Sequence, residues 1–177
     1  GEVALIHGAT GGMGLAAVQV AKQLGATVVA TGGSEEKLAV VESYGADHVV
    51  CYRDAGFRDR VRALVGGADV VFDPVGGDVF DESMRCLNWG ARVVVVGFTS
   101  GRPALARTNH VLIKGASVVG IRAGEFARRN PDLGRANLEV LMSWAARGRV
   151  QSHISHRFAL DDVAEAMEVI RARAVIG

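Results

Sequence analysis

Val3-Ala4-Leu5-Ile6-His7-Gly8-Ala9-Thr10-Gly11-Gly12-Met13-Gly14 sets an apolar run directly against a glycine-rich turn. From Leu15 to Leu24 the residues are small or apolar except Gln19, Lys22 and Gln23. Helical spacing gathers those three on one face and leaves the rest free to be buried. Gly25 ends the helix, and Thr27-Val28-Val29-Ala30-Thr31 is a second apolar run, uncharged and rich in β-branched residues. Strand, glycine turn, helix and strand in this order make a cradle for a pyrophosphate. A turn without side chains lets the phosphates approach the backbone, where the N–H groups and dipole of the helix start meet their charge. A glycine cluster alone says little; placed between a strand and a helix it has weight.

The alternation continues outward from this unit. Ser34 is a good N-cap for a second helix, with Glu35 and Glu36 in its first turn, Leu38 and Val41 facing inward and Gly45 closing it. The reading then gives a strand at His48–Cys51, a helix near Phe57–Leu64 and a strand at Asp69–Phe72. The turn Asp73-Pro74-Val75-Gly76-Gly77 leads to a helix near Val79–Leu87, and a strand follows at Ala91–Val96. A short helical piece near Asn109–Ile113 precedes a sixth strand at Ala116–Ile121. Pro131 starts a long helix through Ala146, His153–Phe158 reads as extended, and Val163, Ala166, Met167 and Ile170 mark an amphipathic helix. Six strands joined by right-handed crossovers give an α/β Rossmann fold, a doubly wound parallel sheet of order 3-2-1-4-5-6, in one domain over residues 1–177.

Composition narrows the function. The 177 residues are 49% hydrophobic, include 23 glycines and carry a net charge of +1 with no basic block. A nucleic acid or anionic membrane partner is therefore not expected. No apolar run approaches the roughly 18 residues that span a bilayer, and no signal peptide is visible. Cys51 and Cys86 lie far apart and read as buried reduced thiols, which points to the cytoplasm. The first residue is Gly1, immediately before the first strand, so the chain reads as a piece of a longer one.

Four motifs occur in order: the glycine turn, Gly45-Ala46-Asp47-His48-Val49, Asp73-Pro74-Val75-Gly76-Gly77 and Lys114-Gly115-Ala116-Ser117-Val118-Val119-Gly120. Together they resemble the cofactor domain of medium-chain dehydrogenases/reductases, in the zinc-free quinone-oxidoreductase branch, over almost the whole chain. The resemblance implies a parent enzyme that moves hydride from NADPH to a quinone, an activated enone or an enoyl thioester. It also implies an N-terminal barrel-like domain and a final C-terminal strand absent from this chain, and a homodimer that joins two sheets through the sixth strand. An isolated domain is then expected to turn over poorly.

The residues themselves point to the form of the dinucleotide. NAD-selective domains carry an acid at the end of the second strand; here Thr31-Gly32-Gly33-Ser34 stands there, with no carboxylate. Lys37 is near enough in sequence to reach a phosphate, and the sheet order brings Tyr52 beside the second strand. The resembling reductases use a lysine and a tyrosine at these positions to hold the 2′-phosphate, so NADP(H) is the expected cofactor. The plainer alternative leaves Lys37 solvated and Tyr52 packed on Lys37 or Arg53. The cofactor-binding candidates are Thr10, Gly11, Gly12, Met13 and Gly14 for the pyrophosphate and Gly33, Ser34, Lys37 and Tyr52 for the 2′-phosphate. Val75, Val96, Gly97, Phe98 and Ile121 are the candidates on the nicotinamide side.

Other chemistry finds less support. The glycine spacing also fits short-chain dehydrogenases, but these need a tyrosine with a lysine four residues on; Tyr44 is followed by His48 and Tyr52 by Gly56. No metal site is expected: His153 and His156 would face opposite ways on an extended segment, and no cysteine pair has zinc spacing. His7 and His110 read as structural histidines. Arg128, Arg129 and Arg135 interleave with Glu125 and Asp132 and read as a solvated surface. No residue stands out as a catalytic acid or base. The alternatives are the cofactor domain of a zinc-type alcohol dehydrogenase and a non-catalytic NADP(H) sensor or crystallin-like binding protein on the same fold.

Overall fold

β1 (Val3–Ile6) lies inside a parallel sheet between β2 (Thr27–Gly32) and β4 (Ala68–Asp73), with β3 (His48–Cys51) beyond β2 and β5 (Leu87–Val95) and β6 (Ser117–Gly120) beyond β4. The six strands run β3-β2-β1-β4-β5-β6, the order expected from the sequence. This computed structural model describes residues 1–52 and 56–177.

Strand alternation divides the core in two. Ala4, Ile6, Val28 and Ala30 pack on one side with Leu15 and Val18 of α1 (Gly12–Gln23) and Val41 of α2 (Glu35–Ser43). Leu5, Val29, Val71 and Val93 pack on the other with Phe57 and Val61 of α3 (Phe57–Val65) and Phe80 of α4 (Gly77–Ser83). Val111 of α5 (Thr108–Lys114) borders that cluster. The chain thus winds outward along one face, returns through α3 and covers the other, as right-handed crossovers require.

Local differences from the sequence reading have physical causes. α1 begins at Gly12, not Leu15, because Gly11 is an extended N-cap and the helix rises out of the glycine turn itself. Gln19 is buried, not on a wet face with Lys22 and Gln23. Its Nε2 donates to the Gln151 carbonyl at 2.9 Å, and the Gln151 N–H donates to its Oε1 at 2.8 Å, so both ends of the amide are satisfied by backbone. α4 stops at Ser83 and Leu87 already belongs to β5. The β4–β5 register shifts between the Ala68–Leu87 and Val70–Arg92 pairs, which carries β5 four residues further back than Ala91.

Beyond β6 the chain forms α6 (Ala123–Arg129), which the sequence reading missed, then α7 (Pro131–Ala146), a 3-10 turn at Leu160–Asp162 and α8 (Val163–Arg171). Residues 151–159 carry no regular element. None of the described residues from 117 to 177 is buried, and Leu138, Leu141, Val163, Met167 and Ile170 are exposed.

Candidate functional site

At the C-terminal end of β1 the chain turns at Gly8 (φ +58°), and α1 starts so close that a Cβ on Gly14 would fall 2.2 Å from the Gly8 carbonyl oxygen. Only glycine fits there. The helix start carries no side-chain cap and no acidic residue, and Gly11, Gly12 and Met13 are exposed, so the first-turn N–H groups are open to an anion. A cavity of about 400 Å³ opens over this turn, lined by Thr10, Gly11, Gly12, Met13, Gly14, Pro74, Thr99, Lys37, Arg173 and Val175.

A second cavity of about 200 Å³ adjoins it at the end of β2, lined by Thr10, Gly33, Ser34, Lys37, Tyr52 and Arg173. Ser34 caps α2 through a long bond from the Lys37 N–H, 3.5 Å. Gly33 lies against the Tyr52 ring, 3.4 Å from where its Cβ would stand. Glu35 and Glu36 are exposed, and the strand end, Thr31-Gly32, is buried and uncharged. Lys37 is half-buried, and its Nζ donates to the carbonyl oxygens of Arg173 and Val175 at 2.5 and 3.0 Å. Arg53 lies outside the described residues.

Arg173 is a site residue that sequence reasoning missed. It closes both cavities, and it is the single non-glycine residue with positive φ (54°) among those described. Its segment is tied down at several points. The Gly177 N–H donates to the Thr10 carbonyl (3.1 Å) and the Ile176 N–H to Ser155 Oγ (3.2 Å), and the Arg173 and Val175 carbonyls accept from Lys37. No local motif marks such a residue, because its partners come from α2 and the glycine turn.

On the β4 side, Asp73 is fully buried. Its Oδ1 accepts from the Val75 and Gly76 N–H groups at 2.8 and 2.9 Å, while Oδ2 has no partner. Burial outweighs those two bonds and holds this carboxyl above the usual carboxylate range. The Val96 N–H donates to the Asp73 carbonyl at 2.9 Å, the Ser100 N–H donates to the Val75 carbonyl at 3.0 Å, and Gly97 packs on Pro74. Phe98 is 47% exposed, with its ring edge against Gly76, and so is not a core residue. Val75, Val96, Gly97 and Phe98 therefore flank Pro74 at the rim of the larger cavity without lining it. Ile121 stands apart. Its N–H donates to the Val95 carbonyl, and its side chain lines a separate apolar cavity of about 720 Å³ with Phe126, Leu138 and Leu141.

His7 anchors the cradle from beneath. Its Nε2 lies 2.7 Å from Ser83 Oγ and its Nδ1 2.7 Å from Thr31 Oγ1. Ser83 gives its proton to the Val79 carbonyl at 2.6 Å, so Nε2 must donate to Ser83, and Nδ1 accepts from Thr31. Burial lowers the imidazole to about 3, which keeps it neutral. The histidine thus ties the ends of β1 and β2 to α4 and is structural. Among the described residues, no group of three or more His, Cys, Asp or Glu could hold a metal ion. Arg128 and Arg129 pair with Glu125 on an exposed helix, as the charge pattern suggested.

Residues 12–141 match the family model described as zinc-binding dehydrogenase. Over its full length the chain is 36% identical to quinone oxidoreductase-like protein 2 of Bos taurus, of which it covers 52%. It is 29% identical to an acryloyl-coenzyme A reductase of Sulfurisphaera tokodaii, covering 49% of that protein. The crystal structure of Escherichia coli quinone oxidoreductase complexed with NADPH superposes with a TM-score of 0.86 at 30% identity, over 99% of this chain and 55% of that one. The chain spans about half the length of the curated relatives it matches.

Proposed function

We propose, for a chain that belongs to the zinc-binding dehydrogenase family and to its quinone-oxidoreductase-like members, that it is the NADP(H)-binding half of a zinc-independent oxidoreductase. The parent enzyme would use NADPH to reduce a quinone, an enone or an enoyl thioester; an acryloyl-coenzyme A reductase among the relatives supports the last class. The observation that carries this reading is the cavity at the end of β2: no carboxylate stands there, while Lys37, Arg173, Ser34 and Tyr52 converge. Two cations and two hydroxyls suit a phosphate, and no carboxylate lines the cavity to accept from a free 2′-hydroxyl.

The residues divide the dinucleotide between them. Thr10, Gly11, Gly12, Met13 and Gly14 hold the pyrophosphate at the start of α1, and Gly33, Ser34, Lys37, Tyr52 and Arg173 hold the 2′-phosphate. The nicotinamide lies toward Val75, Val96, Gly97 and Phe98, with Ile121, on its separate apolar cavity, outside that group. When bound, the cofactor supplies the hydride, while this half supplies position and charge. The family name carries zinc, and the described residues contribute no group of three or more His, Cys, Asp or Glu that could hold it.

A barrel-like second domain would complete the substrate cleft. β6 is an edge strand with Val118 and Val119 exposed, which supports a homodimer formed by joining two such edges. Both cysteines are free and buried, in keeping with a reducing cytoplasm, and no helix among the described residues is long and apolar enough to cross a membrane.

The test is NADPH oxidation by the full-length parent with quinone, enone and enoyl-thioester acceptors. Steady turnover with one acceptor class supports the proposal. Tight NADPH binding with no acceptor chemistry would instead make the protein a sensor or binding protein.

A further inference from the structure

On the sheet face covered by α3, α4 and α5 lies a cavity of about 380 Å³ that shares no lining residue with those at the glycine turn. Arg58 and Arg62 reach it from successive turns of α3, Arg85 from just after α4, and His110 and Lys114 from successive turns of α5. Met84 and Ile113 supply its apolar lining. Lys114 closes its helix, and Arg62 and Arg85 also sit toward the C-terminal ends of theirs. Arg58 and His110 stand in the first turns of α3 and α5, so the cationic wall runs along these two helices.

The convergence of cations on one concave space sets this cavity apart. The whole chain is nearly balanced, with 20 Lys and Arg against 19 Asp and Glu. Five of the described arginines outside the cavity are answered by carboxylates: Arg92 by Glu2 (2.8 Å), Arg102 by Asp78 (2.7 Å), Arg171 by Glu168 (2.6 Å), and Arg128 and Arg129 by Glu125. Here four permanent cations converge, and one carboxylate, Glu82, is shared at 3.4 Å by Arg58 and Arg85. Asp59 is occupied by Arg58 at 3.0 and 3.1 Å. Lys114 gives one donor to the Leu87 carbonyl at 2.9 Å and keeps two. Arg62 makes no side-chain hydrogen bond or ion pair among the described residues. Among the described residues, two full charges and most of two guanidinium forks are left facing one concave space.

We propose that this cavity binds the phosphate group of a small phosphate-bearing organic molecule. Arg62 and Arg85 grip the dianion, Lys114 adds a point charge, and the organic part rests on Met84 and Ile113. Guanidinium forks match phosphate oxygens in pairs, and a dianion cancels the surplus charge that Glu82 and Asp59 leave.

The test is an amide-resolved NMR titration of the chain with phenyl phosphate and, separately, inorganic phosphate, with sodium chloride at matched ionic strength as control. Saturable shifts are expected at the amides around Arg62, Arg85 and Lys114, with phenyl phosphate binding more tightly because of the apolar lining. Arg62→Ala/Arg85→Ala should weaken that binding at least about tenfold while leaving the remaining spectrum in place. Lys37→Ala should leave it unchanged. Shifts confined to the glycine turn, equal shifts with chloride, or unaltered binding in the double variant would overturn the proposal.

Discussion

Lys37 Nζ lies 2.5 Å from the carbonyl oxygen of Arg173, a residue 136 positions later in the chain, and the two side chains line the same small cavity. The lysine therefore has two tasks. It secures the C-terminal segment through the Arg173 and Val175 carbonyls, and it offers positive charge where a 2′-phosphate would lie.

Removing the arginine separates those tasks, because Lys37 uses the Arg173 backbone and not its side chain. Arg173→Ala should keep the segment in place and weaken NADPH binding by roughly tenfold or more, the worth of a charge-assisted bond, with NADH binding little changed. Fluorescence titration with both nucleotides checks this; equal losses for the two would remove Arg173 from the phosphate pocket.

The glycine turn gives a sharper effect. A Cβ at Gly14 meets the Gly8 carbonyl oxygen at 2.2 Å and the Ala9 Cα at 2.7 Å, backbone that cannot swing aside. Gly14→Ala should destabilise the chain by about 1–3 kcal/mol and abolish dinucleotide binding. Urea unfolding and a binding titration report the two losses together.

His7 makes stability depend on pH. Its folded value, about 3, is below the usual 6.5, so between those values the unfolded chain binds the extra proton. Its contribution is fully present above pH 6.5 and is lost as pH falls toward 3, with an upper bound on the order of 5 kcal/mol. Asp73 acts in the opposite sense. Its raised folded value means the folded state holds the extra proton, so its contribution falls as pH rises above the ordinary carboxylate value. Urea midpoints should drop between pH 6.5 and 5, and His7→Leu should flatten that slope even if it lowers stability overall. Thr31→Val, which leaves Nδ1 without a donor, should cost about 1–3 kcal/mol.

The edge strand predicts association. Light scattering at tens of micromolar should give a dimer, and Val118→Lys should give a monomer, because a charge on an exposed edge blocks strand pairing. A monomeric parent chain would contradict the proposed interface.

Local signals carried most of the fold into the sequence. β1, β2, β3 and β4 are continuous apolar runs bounded by glycine or charge, and their order follows from crossover handedness. Ser34 could be read as a cap because its partner is three residues away. The glycine turn and the missing acid after β2 were legible for the same reason. What escaped depends on distant partners. Gln19 looks like a surface residue until Gln151, 132 positions on, satisfies its amide. Arg173 has no motif because its site is assembled from α2 and the turn after β1. Met84-Arg85-Cys86-Leu87 continues a helical pattern, yet Ser83 ends α4 because Leu87 pairs with Ala68 across a register shift.

Parallel calorimetric titration of the chain and of Lys37→Glu with NADPH and NADH is the most direct test of the central claim. The pocket at Ser34, Lys37, Tyr52 and Arg173 predicts clear preference for NADPH, and a loss of that preference in the variant with NADH affinity nearly unchanged. Equal or NADH-favoured binding by the unaltered chain would contradict it.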